Sequence, residues 1–396
     1  MILRGQPIPN WLPILLGSIQ AVGPISTDMY LPAFPAIEAA LHGSAQATLA
    51  WWILGISLGQ LMQGVLADRF GRRTPLLAGL LVYTLGAAGC ALAPSIAALS
   101  AWRFVAAIGA SSSMVVPRAI VRDVAEGHAA AHLMGRLVLV LGAAPILAPS
   151  LGGLVLQIST WRSIFWINAL YGLLAMLSAA WRLPNTQPRA NRVAIHAGAI
   201  LRRYAHILGE RGFLTHALMM SFYAFALFAY LGGSPAVFET QYGLSPGHYA
   251  VLFGVVAATY IAGSQLNMRM VRRFDLDGTL RRASTLYLVS ACCVMVLALA
   301  RAPAVWMAGF LALTQGLIGF LNPNATVGAL RHHAAHAGSA SSLLGTMQFF
   351  IGASSGFLIG WLNNGTGVPM AGLMLAGALL AKVADVCRPK EEGRLF

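Results

Sequence analysis

Residues 64–73 read Gly64-Val65-Leu66-Ala67-Asp68-Arg69-Phe70-Gly71-Arg72-Arg73 and form a short basic segment between two long apolar runs. Its glycines permit a tight turn and a close approach of helices. Asp68 can accept hydrogen bonds from an arginine or from the first turn of a helix. The three arginines hold the segment on the cytoplasmic side of a membrane, because positive charge favours that side. The segment therefore predicts a cytoplasmic turn between two membrane helices.

The composition of the whole chain fits a helical protein that crosses a membrane many times. Of the 396 residues, 58% are hydrophobic and 10% are charged, whereas a soluble domain carries about 25% charged residues. The net charge of +14 would suggest nucleic acid in a soluble protein. Here the arginines cluster between apolar runs, so we expect a lipid bilayer as partner and no nucleic acid. The four cysteines form no Cys-x-x-Cys motif, and we expect neither a disulfide nor a metal site.

Twelve apolar runs are long enough to cross a bilayer, which takes about 20 residues of helix. The predicted spans, numbered 1 to 12, are 11–34, 46–66, 75–95, 98–120, 132–157, 162–182, 213–238, 247–269, 283–300, 303–328, 339–361 and 367–387. Arginines concentrate in the loops that follow even-numbered spans, which places both termini in the cytoplasm.

The longest polar interval divides the chain into two sets of six spans. We predict an all-α membrane protein with an N-terminal six-helix bundle over 1–182, a cytoplasmic linker over 183–212 and a C-terminal six-helix bundle over 213–396. These bundles are called the first half and the second half below. Two sets of six suggest an internal repeat, with the site near the membrane midplane between the halves.

Charged residues inside the spans are candidates for function, because a charge at membrane depth costs about 2.5 to 3.5 kcal/mol. Asp28 is the only carboxylate of span 1, in the stretch Gly23-Pro24-Ile25-Ser26-Thr27-Asp28-Met29-Tyr30-Leu31-Pro32. Arg103 lies near the outer start of span 4, and a rise of about 1.5 Å per residue gives both residues a similar depth. We predict a coupling between them, direct or through water. The alternatives are a hydrated Asp28 at the outer interface and an Arg103 that snorkels outward.

Span 5 contains the stretch Gly142-Ala143-Ala144-Pro145-Ile146-Leu147-Ala148-Pro149-Ser150-Leu151-Gly152-Gly153. Two prolines four residues apart predict a kinked helix, because each proline lacks the N–H that the helix ladder needs. The small residues let a neighbouring helix approach closely.

These motifs resemble those of the major facilitator superfamily. The 64–73 segment resembles its signature loop, Arg103 its helix-4 arginine, and the Ala-Pro-x-x-Gly-Gly ending of span 5 the antiporter motif of its drug exporters. The stretches Ser26–Pro32 and Gly233-Ser234-Pro235 resemble the Bcr/CflA subfamily of bicyclomycin and chloramphenicol exporters. Two positions differ from the usual pattern, since Ala106 replaces a glutamine and Ala148 replaces a glycine.

The resemblance implies multidrug efflux by drug/proton antiport, with Asp28 as the protonation site and Arg103 as its partner. It implies a conformational gate made of Gly64, Asp68, Arg69, Gly71, Arg72 and Arg73. It implies an antiporter motif made of Gly142, Pro145, Pro149, Gly152 and Gly153. It also implies a monomer in the inner membrane. Because the chain has no Walker motif, we expect the proton gradient as energy source and no cofactor.

Aromatic and amide side chains are candidates for contact with drug-like small molecules, since aromatic walls pack on apolar substrates without demanding one hydrogen-bond pattern. The candidate substrate-binding residues are Tyr30, Phe225, Tyr230, Asn322 and Gln348. Plain packing of the aromatics and bonding between helices by the amides remain open. So does a dedicated exporter of one small metabolite, such as a purine or a sugar. A membrane enzyme is more remote, because no convincing nucleophile–base pair or metal set is present, and we expect no enzymatic activity.

Overall fold

The computed structural model describes residues 9, 11–124, 133, 137, 147–183, 186, 197–331, 333 and 337–389 of the chain. Within these ranges the regular elements are all helical. They are α1 (Trp11–Gln20), α2 (Val22–Asp28), α3 (Phe34–Leu41), α4 (Ala45–Phe70), α5 (Arg73–Ala91), α6 (Ile96–Val124), α7 (Leu147–Ile158), α8 (Trp161–Arg182), α9 (Ala197–Gly209), α10 (Arg211–Pro235), α11 (Pro246–Leu299), α12 (Ala304–Leu330), α13 (Ala337–Leu362) and α14 (Gly367–Val386). A 3-10 turn, Leu31–Ala33, precedes α3, and a π-helical segment, Ala236–Gln241, follows α10.

Ten helical segments of the described part are long and apolar enough to cross a membrane. They fall on α4, α5, α6, α8 and α10, on two stretches of α11, and on α12, α13 and α14. α1 and α2 occupy span 1, and α7 occupies the end of span 5. Lipid offers the backbone no hydrogen-bond partners, so apolar segments satisfy their own groups as helices. The all-helical membrane fold and the order of the spans are confirmed.

Span 1 differs from the prediction, because it is not one helix over 11–34. The helix is interrupted at Ala21 and ends at Asp28, after which a turn leads into α3. Proline explains both interruptions, since Pro24 and Pro32 cannot donate a hydrogen bond to the carbonyl four residues earlier. For Pro32 that carbonyl belongs to Asp28 itself. The consequence is that the only carboxylate of span 1 lies at a helix end.

The connection between spans 8 and 9 is also different, because the predicted loop over 270–282 is helical. The candidate spans Pro246–Val271 and Leu276–Leu299 both lie in α11, and only four residues separate them. The stretch contains no proline and a single glycine, Gly278, so nothing in it stops the helical backbone. The basic residues of this connection therefore lie on helical turns at the end of two spans.

The two halves of the molecule meet where α4 packs along α13. A Cβ at Gly356 would lie 2.9 Å from the Cβ of Ala50, so this glycine lets the two backbones approach closely. Further toward the cytoplasm, the Ser57 hydroxyl donates to the Thr346 carbonyl at 3.0 Å. Hydroxyl groups and small side chains therefore join spans 2 and 11 along their length.

Candidate functional site

Asp28 occupies a buried position at the contact between the two halves. The residue is 6% exposed, and within the described part of the chain its carboxylate has no hydrogen bond or ion pair. The turn that follows it, Leu31–Ala33, contacts α10 and α11 of the second half. A carboxylate so placed is removed from the surface but free to bind a proton or a cation. This placement favours the functional interpretation over the hydrated one.

Arg103 lies in a cage of aromatic rings from three other spans. It is 1% exposed, and one guanidinium nitrogen donates to the Ser26 carbonyl at 2.9 Å. The guanidinium carbon lies 4.1 Å from the ring centre of Tyr30, 4.4 Å from that of Trp52 and 5.9 Å from that of Phe165. A desolvated cation over an aromatic face gains about 2 kcal/mol or more, so the rings can hold the charge without a carboxylate. Its burial excludes snorkelling.

The predicted direct pair between Asp28 and Arg103 does not form among the residues that the structure describes. The guanidinium instead binds the backbone of Ser26, two residues before Asp28 on the same helix. The similar depth of Asp28 and Arg103 in the membrane stays a prediction. Arg103 therefore holds the helix end that carries the carboxylate, and its effect on Asp28 is indirect.

Tyr30 is placed differently from the expected substrate contact. It is fully buried, its ring faces Arg103, and its hydroxyl lies 3.3 Å from that of Thr48. Phe34 packs against the same ring, with ring centres 5.0 Å apart. Tyr30 thus packs against the arginine in this structure, and its contact with substrate stays a prediction.

The other predicted substrate contacts lie in the second half. Tyr230 is buried, and its ring stacks on Phe253 with centres 5.8 Å apart. Phe225 is buried on α10, and Gln348 is partly buried on α13, the helix that packs beside it. Asn322 has a buried side-chain oxygen without a hydrogen-bond partner in the described part. Contact of these four residues with substrate stays a prediction.

A second amide of span 10 has a structural role that sequence reasoning left open. Asn324 exchanges two hydrogen bonds with Asn267 of span 8, at 2.8 and 3.3 Å. Both residues are buried, so each amide satisfies the other. Asn324 therefore joins two helices, whereas its neighbour Asn322 keeps a free acceptor.

The gate segment lies between spans 2 and 3 of the first half, at the cytoplasmic side, and contacts two further spans of that half. Gly71 has a φ of +84°, a conformation that side chains other than glycine rarely adopt, and it ends α4 before α5 begins. Arg72 forms an ion pair with Asp123 at the end of α6, with nitrogen and oxygen 3.0 Å apart. Arg73 donates a hydrogen bond to the Ala180 carbonyl of α8. The turn is thus tied to spans 4 and 6.

Two further gate residues, Gly64 and Arg69, lie on α4 before the turn. A Cβ at Gly64 would lie 3.7 Å from the hydroxyl of Ser342 on α13, which places this end of α4 beside the second half. The guanidinium of Arg69 lies 5.1 Å from the ring centre of its neighbour Phe70. The side chain of Asp68 lies outside the described part of the chain. Its predicted pairing stays a prediction.

The described part of the antiporter motif packs directly against the break in span 1. Two members of the motif lie outside the described residues, namely Gly142 and Pro145. Pro149 is buried in α7, and a Cβ at Gly152 would overlap the Met29 carbonyl oxygen, next to Asp28. A Cβ at Gly153 would lie 3.3 Å from the Pro246 carbonyl at the start of α11. The small residues therefore let span 5 touch both the carboxylate segment and the second half.

Sequence reasoning missed two buried or partly buried residues of the second half. Tyr249, near the start of α11, is 1% exposed and shares a hydrogen bond of 2.8 Å with the hydroxyl of Ser234. Glu239 lies in the π-helical segment, with one side-chain oxygen buried and without a partner in the described part. The signal for Glu239 was its position one residue beyond the predicted end of span 7, where a carboxylate was taken as part of a loop.

Comparisons with known proteins agree with this architecture. The profile of the Major Facilitator Superfamily matches residues 16–357. The "Uncharacterized MFS-type transporter YdgK" of Bacillus subtilis (strain 168) is 33% identical over 385 residues, which cover 96% of this chain and 96% of the relative. The "Bicyclomycin resistance protein homolog" of Haemophilus influenzae is 29% identical over 380 residues, which cover 94% of each chain.

A solved structure of the xylose transporter XylE from E. coli, in a partially occluded inward open conformation, has the same fold. Its TM-score is 0.75 at 12% identity, and the match covers 97% of this chain and 99% of that one. The resemblance that the motifs suggested is therefore confirmed for the whole length of the molecule, including its similarity to bicyclomycin resistance proteins. The chain belongs to the major facilitator superfamily of membrane transporters.

Proposed function

We propose that this transporter exports drug-like molecules in exchange for protons by alternating access. The observation that carries the proposal is the Asp28 carboxylate, which is buried, has no partner among the described residues and lies just before a turn that contacts the second half. Such a group can be neutralised by a proton or by a cationic substrate, and one site cannot hold both. The similarity to a bicyclomycin resistance protein homolog supports drugs as the substrate class.

The competition at Asp28 would link transport to the proton gradient. A ligand shifts a conformational equilibrium only by its difference in affinity for the two states. Protons are more abundant outside, so the site would release its drug there, bind a proton and return. Inside, drug would replace the proton. The gradient thus drives export without a cofactor, and a single chain contains the whole cycle.

The remaining predicted residues would divide into positioning and contact roles. Arg103 would fix the helix end beneath Asp28, and the segment 64–73 would hold the cytoplasmic side of the first half. Phe225, Tyr230, Asn322 and Gln348 would line the substrate path, chiefly from the second half. The two halves, joined by the linker over 183–212, would rock against each other within the inner membrane.

The test is drug-driven proton movement in everted vesicles, with wild type and Asp28→Asn compared at equal membrane content. Bicyclomycin, chloramphenicol and sulfonamides form the panel. In wild type, added drug should raise the lumenal pH, because drug enters as protons leave. Asp28→Asn should abolish this response while its thermal stability stays near that of wild type.

A matched control is Glu38→Gln, which changes a carboxylate outside the predicted spans. Glu38 accepts a hydrogen bond of 3.0 Å from the Ala45 amide, and a glutamine oxygen can accept the same bond. This variant should respond as wild type does. Full coupling in Asp28→Asn would contradict the role of Asp28. No response of wild type to any compound of the panel would contradict drugs as substrates and favour a dedicated metabolite exporter.

A further inference from the structure

The helical connection between spans 8 and 9 brings two arginines to one aromatic ring. Phe274 lies between the candidate spans Pro246–Val271 and Leu276–Leu299, on the cytoplasmic side by the predicted orientation. The guanidinium carbon of Arg282 lies 4.0 Å from the centre of this ring, and that of Arg273 lies 5.2 Å from it. The ring therefore holds two cations, one from the end of each span, close to each other.

The charges of these two arginines are not used within the described part of the chain. Arg273 and Arg282 are exposed, and their side chains have no hydrogen bond or ion pair to any described residue. Of the nearby aspartates, Asp277 binds Arg388 at 2.5 Å, and the side chain of Asp275 lies outside the described residues. Two like charges held this close repel each other, and an anion that contacts both relieves the repulsion.

Each arginine lies at the cytoplasmic end of an exposed apolar stripe. The stripes have the spacing of one helix face, counted from Arg282 along span 9 and from Arg273 back along span 8. Their exposed members are Leu286, Val289 and Val296 on span 9, and Leu266, Val255 and Val251 on span 8. Exposed apolar side chains at membrane depth are covered by acyl chains. A paired positive charge next to an acyl-chain surface matches the layout of an anionic phospholipid, whereas a free phosphate would use the charge alone.

We propose that Arg273, Phe274 and Arg282 form a binding site for one anionic phospholipid of the cytoplasmic leaflet. The two guanidinium groups donate hydrogen bonds to the phosphate oxygens, and the acyl chains lie along the stripes of spans 8 and 9. Arginine suits this role because its planar fork can bind two phosphate oxygens at once. Phe274 keeps both side chains in place, so less freedom is lost when the lipid binds.

The test is native mass spectrometry of the purified protein in detergent, which counts the lipid molecules that stay bound. The probes are phosphatidylglycerol, phosphatidylcholine and inorganic phosphate. Wild type should bind one phosphatidylglycerol about tenfold more tightly than phosphatidylcholine, because the choline cation of the latter is repelled by the arginines. The double variant Arg273→Gln/Arg282→Gln should lose this preference. Both positions are exposed, so its thermal stability should match wild type.

Two further double variants separate this site from the general positive charge of the cytoplasmic face. Arg202→Gln/Arg203→Gln removes the same amount of charge from α9, which packs on α10 and α13, and it should bind phosphatidylglycerol as wild type does. Arg273→Lys/Arg282→Lys keeps the charge of the site but loses the planar fork. Its binding of phosphatidylglycerol should be weaker than that of wild type and stronger than that of the double glutamine variant.

Three results would overturn the inference. The first is unchanged binding of phosphatidylglycerol in the double glutamine variant, and the second is an equal loss in the α9 control. The third is displacement of the lipid by an equal concentration of inorganic phosphate, which would make this a site for free phosphate. Because the experiment uses neither a drug nor a proton gradient, its outcome is independent of the proposed export function.

Discussion

Two aspartates, one in each half, are equally buried but have opposite surroundings. Asp28 is 6% exposed and Asp385 is 4% exposed. Asp385 accepts hydrogen bonds from Ser284 at 2.6 Å, from Lys382 at 2.8 Å and from Arg388 at 2.9 Å. Asp28 has no such donor among the described residues. Burial alone therefore does not distinguish the two aspartates, whereas the absence of partners in the described part of the chain makes Asp28 the candidate for proton binding.

The same contrast separates the two halves more generally. At the level of Asp28, the first half contains the Arg103 cation in its aromatic cage. In the second half a pair of neutral amides, Asn267 and Asn324, joins two helices near their cytoplasmic ends. The ion pairs of Asp385 with Lys382 and Arg388 also lie at the cytoplasmic end of span 12. Asp28 and the caged Arg103 cation therefore both belong to the first half, and the proposed function assigns proton coupling there.

The largest expected effect concerns the stability of the partnered aspartate. Asp385→Asn should lower the free energy of unfolding by about 3 kcal/mol, because it leaves two cations without their buried counter-charge. The value is at the low end of the usual range because Arg388 keeps its ion pair with Asp277, and because water can reach the partly exposed Lys382. Thermal unfolding in detergent measures it. Asp28→Asn should change this quantity little, and equal losses in the two variants would remove the distinction between them.

Arg103→Leu should have the next largest effect. It removes the cation from the rings of Tyr30 and Trp52 and leaves the Ser26 carbonyl unbonded, so we expect a loss of about 2 kcal/mol of stability. Coupled transport should fall as well, because the helix end beneath Asp28 is released. The control Tyr30→Phe keeps the ring and loses only a long hydroxyl contact, with an expected loss below about 1 kcal/mol. A stable and active Arg103→Leu would show that the cage is dispensable.

A further comparison concerns one crowded glycine in each half. Gly152→Ala forces a methyl group against the Met29 carbonyl, and Gly263→Ala forces one against the Gly316 carbonyl. Each should destabilise the protein by about 1 to 3 kcal/mol, since overpacking moves the backbone. Only Gly152→Ala should also alter the proton response in vesicles, because Met29, which it would displace, lies in the turn directly after Asp28.

A third substitution completes this glycine comparison. Gly309→Ala adds a methyl group to α12 where no atom lies within 4 Å, so stability and transport should match wild type. If Gly263→Ala disturbed proton coupling as strongly as Gly152→Ala, the assignment of coupling to the first half would be wrong.

The apolar runs and the positions of arginines predicted the order of the spans, because membrane insertion depends on hydropathy and charge alone. They did not predict the break at Asp28. Pro24 and Pro32 stand in a run that stays apolar throughout, so hydropathy carries no sign of the missing hydrogen bonds. The gate turn was predictable, since its need for glycine at Gly71 follows from a short connection.

The sequence predicted which residues belong to the candidate site better than it predicted the contacts between them. Rise along a helix placed Asp28 and Arg103 at one depth, but each residue also turns the side chain by about 100° around the axis. That rotation decides whether two side chains meet, and it depends on helix packing that no local pattern encodes. The same limit applies to Tyr30, whose ring faces the arginine, and to Glu239, whose buried oxygen has no partner in the described part of the chain.

The cage around Arg103 has a consequence for how the protein is made. Three of its contacts, Ser26, Tyr30 and Trp52, precede Arg103 in the chain, and only Phe165 follows it. When span 4 leaves the ribosome, spans 1 and 2 are already in the bilayer. The Ser26 carbonyl and two of the aromatic rings are therefore already present when Arg103 is inserted. The order of synthesis thus provides partners for this charge before it enters the bilayer.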